Sequence, residues 1–145
     1  MSRSEDLISG RRSVQYAAVI GSGRLGSAIA GALSATGTSV VVIDPREERL
    51  HRLPPDFSGF TITGDGSEIS VLRAAKVEQA DCLCATTDDD NLNLLVAQIA
   101  KHVFRVPIVI ARLFDPARES VYRQFDIMTV SPTELAADAF LGLIP

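Results

Sequence analysis

The sequence lacks the features that would place it in a membrane, on nucleic acid or outside the cell. Its apolar runs fall well short of the roughly 20 residues that a membrane-spanning helix requires. Acidic residues outnumber basic ones by 18 to 14, and the net charge of −4 argues against a nucleic-acid binder, which usually carries a basic stripe. Arg11 and Arg12 are followed by an apolar stretch too short for a signal-peptide core. We therefore expect a cytosolic protein.

Residues that commonly perform catalysis or bind metals are also scarce. The chain has two histidines and two cysteines. Cys82 and Cys84 are predicted to lie on one face of a strand, where they are poor disulfide partners and too few for a zinc site, so we interpret them as small core residues. His51 and His102 lie away from the predicted strand ends, and no catalytic triad is evident. The sequence therefore predicts a binding protein rather than an enzyme.

A glycine-rich turn near the start of the chain is the most informative motif. The apolar residues 17–20 lead into Gly21-Ser22-Gly23-Arg24-Leu25-Gly26 and then into a pattern of helical spacing. In a strand-turn-helix of this kind, Gly21 permits the tight turn, Gly23 leaves room for a pyrophosphate and Gly26 allows close packing of helix and strand. Free N–H groups at the start of the helix, together with its dipole, favour a bound phosphate.

A carboxylate follows at the place where a ribose is usually bound. The β-branched run 39–43 predicts a buried parallel strand, and Asp44 at its end lies eighteen residues beyond Gly26. Asp44 is placed to accept hydrogen bonds from ribose hydroxyls and to disfavour a 2′-phosphate. Arg46 lies nearby and weakens the argument against a 2′-phosphate. Alternatively, Asp44 caps a helix whose first residue is Pro45.

The remaining pattern alternates strands with helices. We predict a single α/β domain of the Rossmann type, with a doubly wound parallel six-stranded sheet in the order 3-2-1-4-5-6. Residues 1–15 are predicted to be a flexible arm, residues 16–131 the Rossmann domain, and residues 132–145 a C-terminal helix that contacts a dimer partner. Predicted helices span residues 46–53 and 88–103, Ser67 is predicted to cap another, and the third strand is predicted at residues 57–63. The carboxyl ends of the strands should bring together Gly21 to Gly26, Asp44, Asp65, Thr86, Thr87 and Arg112.

Taken in order, these motifs resemble the N-terminal nucleotide-binding domain of the TrkA family, also called the KTN or RCK domain. The resemblance covers residues 16 to about 135. It is carried by the glycine turn and by Val41-Val42-Ile43-Asp44, Gly64-Asp65, Leu72-Arg73-Ala74-Ala75, Ala80-Asp81, Ala85-Thr86-Thr87-Asp88-Asp89-Asp90-Asn91-Leu92 and Pro107-Ile108-Val109-Ile110-Ala111-Arg112.

The resemblance implies a non-catalytic sensor on the inner face of the membrane. Such domains pair, assemble into rings beneath a potassium channel or transporter, and respond to NAD⁺/NADH or ATP/ADP. By this resemblance, the glycine turn would hold the phosphates and Asp44 would bind the ribose. Asp65 and Gly66 would lie on the adenine side, and Thr86 and Thr87 would line the cleft near the phosphates. Arg24 occupies the position of an arginine that reaches the terminal phosphate of the partner subunit's nucleotide, although it also fits a solvated surface arginine.

Two departures from the family pattern bear on function. Family members usually continue into a second ligand-binding domain, whereas this sequence ends at Pro145. Some relatives also carry a cation-coordinating glutamate directly after the proline of the last strand, where this chain has Thr133, with Glu134 next.

Two other functions fit the same motifs. The first is the cofactor-binding domain of an NAD-dependent oxidoreductase, since the fold hosts both functions. The second is a purely structural oligomerisation module, because residues 139–144 are apolar almost all round.

Overall fold

A parallel β-sheet organises the computed structural model, which describes residues 13–145. Its strands run in the order β3-β2-β1-β4-β5-β6, and every neighbouring pair is parallel. The strands are β1 (Tyr16–Ile20), β2 (Ser39–Asp44), β3 (Phe60–Thr63), β4 (Cys82–Ala85), β5 (Ile108–Arg112) and β6 (Met128–Val130). The predicted order is confirmed. The predicted arm falls mostly on residues 1–12, outside the described residues.

Helices cover both faces of this sheet and connect its strands. They are α1 (Arg24–Ala35), α2 (Glu47–Leu50), α3 (Ile69–Ala74), α4 (Asp90–Gln98), α5 (Glu119–Gln124) and α6 (Pro132–Leu143). Short 3₁₀ turns occur at Val77–Gln79 and Pro116–Arg118, and α4 continues as a π-helical turn over Ile99–Val103. None of the helices in the described part of the chain is long and apolar enough to cross a membrane.

The sheet divides the core into two clusters. Ala17 and Val19 face one cluster with Ala30 of α1, whereas Ala18 and Ile20 face the other with Val96 of α4. All of these residues are buried. Residues 17–20 of β1 are buried on both faces and are all small or β-branched, as expected for a central parallel strand.

Several predicted boundaries are wrong, each for a local reason. The helix predicted at residues 46–53 spans only Glu47–Leu50. The third strand begins at Phe60 rather than at residue 57, because the N–H of Phe57 donates to the carbonyl of Pro54 and closes a turn. Residues 88 and 89 precede the long helix, whose cap is Asp89.

The cap predicted at Ser67 is also wrong. Its N–H and hydroxyl both donate to Oδ1 of Asp65, at 2.8 and 2.7 Å. Glu68 occupies the cap position of α3 and makes no side-chain capping bond. Ser67 therefore stabilises the preceding turn instead of the helix.

The C-terminal helix α6 forms where the sequence predicts it. Oγ of Ser131 accepts from the N–H of Glu134 at 3.3 Å, and Pro132 stands in the first turn. Its apolar side chains are nevertheless exposed, Phe140 by 71% and Leu143 by 85%. The helix thus presents apolar surface that the described residues do not cover.

Candidate functional site

The glycine turn connects the end of β1 to the start of α1. Gly21 has φ of +96°, a conformation that L side chains rarely adopt, and its N–H donates to the carbonyl of Ile43 at 2.8 Å. A Cβ on Gly26 would lie 1.9 Å from the carbonyl oxygen of Gly21 and 2.7 Å from Oγ1 of Thr86. Only glycine fits at both positions, in the roles that the sequence predicts for them.

Gly23 differs because its surroundings are open. It is the N-cap of α1, has extended backbone and contributes no side-chain capping bond. A Cβ added there would have no atom within 4 Å. The space beside the Gly23 Cα at the start of α1 is therefore free of protein atoms. The N–H groups of a first helical turn lack partners within the helix, which favours an anion at this end.

Asp44 lies beside this turn and is 98% buried, since its relative exposure is 2%. Oδ2 accepts from the N–H of Ser22 at 2.8 Å and from its hydroxyl at 3.0 Å, while Oδ1 accepts from the N–H of Arg46 at 2.8 Å. A carboxylate offers about four acceptor sites, so roughly one remains for a ribose hydroxyl. The alternative that Asp44 caps a helix starting at Pro45 is wrong, because α2 begins at Glu47 with Arg46 as its N-cap.

A cleft of about 130 Å³ lies at the carboxyl ends of the central strands. It is lined by Ile20, Gly21, Ile43, Asp44, Pro45, Arg46, Arg49, Asp65, Gly66, Thr87, Asp88 and Leu92. The structure thus brings together six of the predicted site residues from three strand ends and the glycine turn. Arg49 and Asp88 also line the cleft, although the sequence analysis did not place them among the cofactor-binding residues.

Asp65 and Gly66 form one wall of this cleft. A Cβ on Gly66 would lie 2.5 Å from Cγ2 of Ile20, so the backbone approaches β1 closely. The pKa of the Asp65 carboxyl is lowered from its ordinary value, chiefly because the Ser67 hydroxyl and then the Ser67 N–H donate to it. Asp65 is therefore a well-ionised acceptor at the edge of the cleft.

Thr86 and Thr87 secure the opposite wall. Oγ1 of Thr86 lies 2.9 Å from the carbonyl oxygen of Ile20 and 3.1 Å from that of Gly21, to which it donates. Thr87 donates its N–H and hydroxyl to Oδ1 of Asn93, at 3.0 and 2.7 Å. Thr86 thus holds the end of β4 against the glycine turn but does not line the cleft, so its predicted place in the lining is wrong. Thr87 lines the cleft and is bonded to Asn93 of α4.

Asn93 is a structural residue beside the cleft that the sequence analysis did not single out. It is fully buried, and its Nδ2 donates to the carbonyls of Thr87 at 3.1 Å and Arg112 at 3.0 Å. The available signal was a polar residue among the apolar ones of α4, since a buried polar group requires hydrogen-bond partners.

The remaining predicted residues lie outside the lining of the cleft. Arg24 is exposed, Leu25 is half-buried, and Ser22, Gly23 and Gly26 belong to the adjoining turn. The Arg112 guanidinium lies 4.2 Å from the centroid of the Phe114 ring. Its Nε is buried and has no hydrogen-bond partner.

The acidic run before α4 has structural partners. Asp89 accepts from the N–H groups of Asn91 at 2.9 Å and Leu92 at 3.3 Å, which caps the helix. Asp90 accepts from the N–H groups of Phe114 at 2.8 Å and Asp115 at 3.1 Å. Within residues 13–145, no group of three or more His, Cys, Asp or Glu side chains is arranged to hold a metal ion.

The two cysteines lie away from the cleft. Both are buried and unbridged, with their Sγ atoms 3.9 Å apart. They pack in the cluster with Ala17 and Val19, consistent with their interpretation as core residues.

Comparison with known proteins identifies related sequences. The family model for the TrkA-N domain matches residues 17–132. The Trk system potassium uptake protein TrkA of Streptomyces coelicolor is 39% identical over 123 residues, covering 85% of this chain and 55% of that protein. A Trk system potassium uptake protein TrkA homolog of Pyrococcus abyssi is 33% identical over 130 residues, covering 85% of this chain and 57% of that protein. The chain thus spans little more than half the length of these relatives.

Solved structures share the fold. The TrkA-N domain of the inner membrane protein ybaL from Escherichia coli superposes with a TM-score of 0.81 at 20% identity, covering 92% of this chain and 98% of that one. The GsuK channel bound to NAD gives a TM-score of 0.77 at 24% identity, covering 96% of this chain and 25% of that one.

Proposed function

The chain belongs to the TrkA-N domain family, and we propose that it is a nucleotide-sensing regulatory domain of a potassium channel or transporter. In this proposal it binds NAD⁺/NADH or ATP/ADP and regulates the membrane pore through a change of conformation. Its relatives are potassium uptake proteins, which supports a membrane-embedded potassium channel or transporter as partner and a place at the inner face of the membrane.

One observation carries the proposal: an open helix N-terminus and a buried carboxylate lie on the two sides of one turn. Gly23 leaves open space at the start of α1, and Ser22 joins the same turn to Asp44. Phosphate near the helix gains about 0.3–1 kcal/mol from the dipole, and the remaining acceptor site on Asp44 suits a ribose hydroxyl. This pairing matches the diphosphate and ribose of a nucleotide.

The adenine side of the ligand is assigned to the other end of the cleft. Asp65 and Gly66 line this end, and Thr87 lies on the opposite wall. NAD⁺ and ATP both present a ribose and phosphates to this arrangement. GsuK has been solved with NAD and with ADP, which supports both ligand types for a site of this fold.

Regulation requires that the ligand bind two conformations with different affinity. A coupling free energy of about 1–3 kcal/mol is sufficient to bias a gate. Arg24 is exposed at the start of α1. We assign to it the contact with the terminal phosphate of a ligand in the partner copy, which would connect ligand state to the arrangement of subunits.

Pairing of two copies is assigned to α6. Its exposed Leu135, Phe140 and Leu143 form apolar surface on one helix. Exposed apolar patches commonly mark protein interfaces. We propose that residues 132–145 contact a second copy and that the dimers assemble into a ring.

A binding titration tests the nucleotide proposal. Isothermal titration of the purified protein with NAD⁺, NADH, ATP, ADP and AMP should show binding of at least one, and Asp44→Ala should remove most of that affinity. Because Asp44 also accepts bonds from Ser22, Gly23→Ala provides an independent variant. Its methyl group enters space free of protein atoms, so affinity should fall while the melting temperature is retained.

Gly142→Ala is the matched control, since its Cβ also meets no atom within 4 Å and it lies on α6. Binding unaffected by both site variants would contradict the assignment of the cleft. Turnover of a reduced cofactor with a metabolite would instead favour the oxidoreductase alternative.

A further inference from the structure

A groove of about 400 Å³ lies at the opposite end of the sheet from the cleft. Sites for small molecules have volumes of roughly 300–1,000 Å³, so the groove is large enough for one. Its lining includes the first residues of β1 and β3, Tyr16 and Phe60, whereas the cleft is lined by the last residues of β1 and β2, Ile20 and Asp44. At about 3.3 Å per residue, Tyr16 lies roughly 13 Å from Ile20 along β1. The groove and the cleft are therefore separate.

The groove lies where the helix after β3 stops early. Helix α3 has only six residues, and the chain then turns at Lys76, whose φ is +56°. The start of β3 is left open beside this turn, and the Phe60 side chain remains 68% exposed. The side chains of Ala74 and Ala75 at the end of α3 line the groove and are too short to fill it.

Most of the lining is apolar and belongs to the core on this face of the sheet. Val41 is buried in the core cluster, and Ile62 and Tyr16 pack against that cluster. The Tyr16 hydroxyl donates to the carbonyl of Ala75, which joins the start of β1 to the end of α3. The fold thus holds the walls in place, and an aliphatic chain entering the groove would remove apolar surface from water.

Among the described residues that line the groove, Lys76 alone carries a charge. It is exposed, and within residues 13–145 its ammonium makes no ion pair. Its backbone is fixed, because its N–H donates to the carbonyl of Arg73 and its carbonyl accepts from the N–H of Gln79, both at 2.9 Å. The left-handed conformation favours glycine over a residue with a side chain. The lysine therefore places a cation beside an apolar groove at a position where glycine would be less strained.

We propose that this groove binds an amphipathic carboxylate, a small molecule with an aliphatic tail and a single acidic head. The tail packs against Val41, Ile62 and the Phe60 ring, and the carboxylate pairs with the Lys76 ammonium through charge-assisted hydrogen bonds. This binding does not depend on a nucleotide, because the groove and the cleft occupy opposite ends of the strands.

Titration of the full chain with hexanoate, octanoate and decanoate, followed by NMR of the backbone amides, tests the proposal. Affinity should rise about fourfold for each added methylene that becomes buried. The amide shifts should centre on Phe60, Ala75 and Lys76 and leave Gly23 unmoved. Octylammonium has the tail of octanoate and the opposite charge, so it should bind about fivefold or more weakly than octanoate.

Three variants separate the roles of charge, space and fold. Lys76→Gly should lose about fivefold in affinity for octanoate yet melt at or above the wild-type temperature, because glycine suits the left-handed turn. Ala74→Leu fills the groove from an exposed helical position, so it should lose tenfold or more and remain folded. Arg73→Gln is the matched control, since Arg73 is an exposed cation of α3 outside the groove lining, and it should leave the affinity unchanged.

Shifts centred on α6, where Phe140 and Leu143 are exposed, would overturn the proposal, because they would indicate association with general apolar surface. Equal binding of octanoate and octylammonium, or of octanoate to wild type and Lys76→Gly, would overturn the carboxylate class. Absence of any shift at the groove would overturn the proposal and leave the proposed nucleotide function intact.

Discussion

Ser22 donates both its N–H and its hydroxyl to the same carboxylate oxygen of Asp44, at 2.8 and 3.0 Å. These bonds join the turn after β1 to the end of β2, twenty-two residues further along the chain. The carboxylate is therefore oriented by the protein itself, at a position where Asp44 lines the cleft. Any substitution of Asp44 affects both the turn and the proposed ligand site, so binding data on it need the independent variant at Gly23.

Gly26→Ala should strongly destabilise the fold. Alanine is the better helix residue by about 0.5–1 kcal/mol, but its Cβ would lie 1.9 Å from a backbone oxygen. Overpacking of this kind costs about 1–3 kcal/mol or more, so the clash outweighs the propensity. Urea unfolding measures the difference, and Gly23→Ala serves as the control that should unfold at the wild-type midpoint. A Gly26→Ala protein as stable as the wild type would show that α1 can move away from β1.

Asn93→Leu should lower the free energy of unfolding by about 3 kcal/mol or more. The side chain is fully buried and bonds Thr87 and Arg112, so its removal strands several buried backbone groups at roughly 1–3 kcal/mol each. Chemical denaturation provides the measurement. The exposed neighbour Asn91 is the matched control, and Asn91→Leu should change the free energy of unfolding by less than about 1 kcal/mol. Similar losses for the two variants would refute the importance of the Asn93 bonds.

Asp65 should titrate below its ordinary pKa of 3.8, because the Ser67 hydroxyl and N–H donate to its ionised form. Since the pKa is lowered on folding, the carboxylate contributes stability above the unfolded pKa, and this contribution is lost as the pH falls through the folded pKa. The Ser67 amide resonance, followed by NMR across pH 2 to 6, should show a midpoint below 3.8. Ser67→Ala should move the Asp65 midpoint upward, because the hydroxyl is the largest cause. A wild-type midpoint at or above 3.8 would contradict the hydrogen-bonded turn.

Removal of α6 should lower the mass of the protein in solution without unfolding the domain. The helix is exposed along its length and contributes no buried residue to the core. Light scattering on a chain ending at Ser131 should show fewer dimers, and circular dichroism should retain the signal of the sheet and the other helices. Phe140→Asp should act in the same direction, whereas Asp138→Asn on the same helix should have no effect. An unaltered mass would refute contact through this helix.

The sequence was sufficient for the strand order and for the glycine turn. Central strands such as β1 and β2 are short apolar runs bounded by turn residues, and the alternation with helical patterns admits few topologies. The roles of Gly21 and Gly26 follow from the backbone geometry of the strand-turn-helix, and the spacing of the glycines in the motif predicts that geometry. The glycine roles were predictable because they depend on residues close together in the chain, and the strand order because few topologies fit the alternation of strands and helices.

Other features depend on contacts that local patterns do not contain. Ser67 resembles a helix cap, but the nearby carboxylate of Asp65 receives both of its donors. Asn93 makes bonds to the ends of β4 and β5, and its importance emerges only once those strands are adjacent. Binding by the thirteen site residues stays a prediction, because it concerns a second molecule.

The hydroxyl of Thr86, which reaches the carbonyls of Ile20 and Gly21, has a wider consequence. These bonds restrain the glycine turn before any ligand binds, so that binding would cost little conformational entropy in this turn. A restrained glycine turn would itself change little in conformation when a ligand binds. Regulation would then act through a change in the arrangement of subunits, with the bound molecule altering the contacts between them.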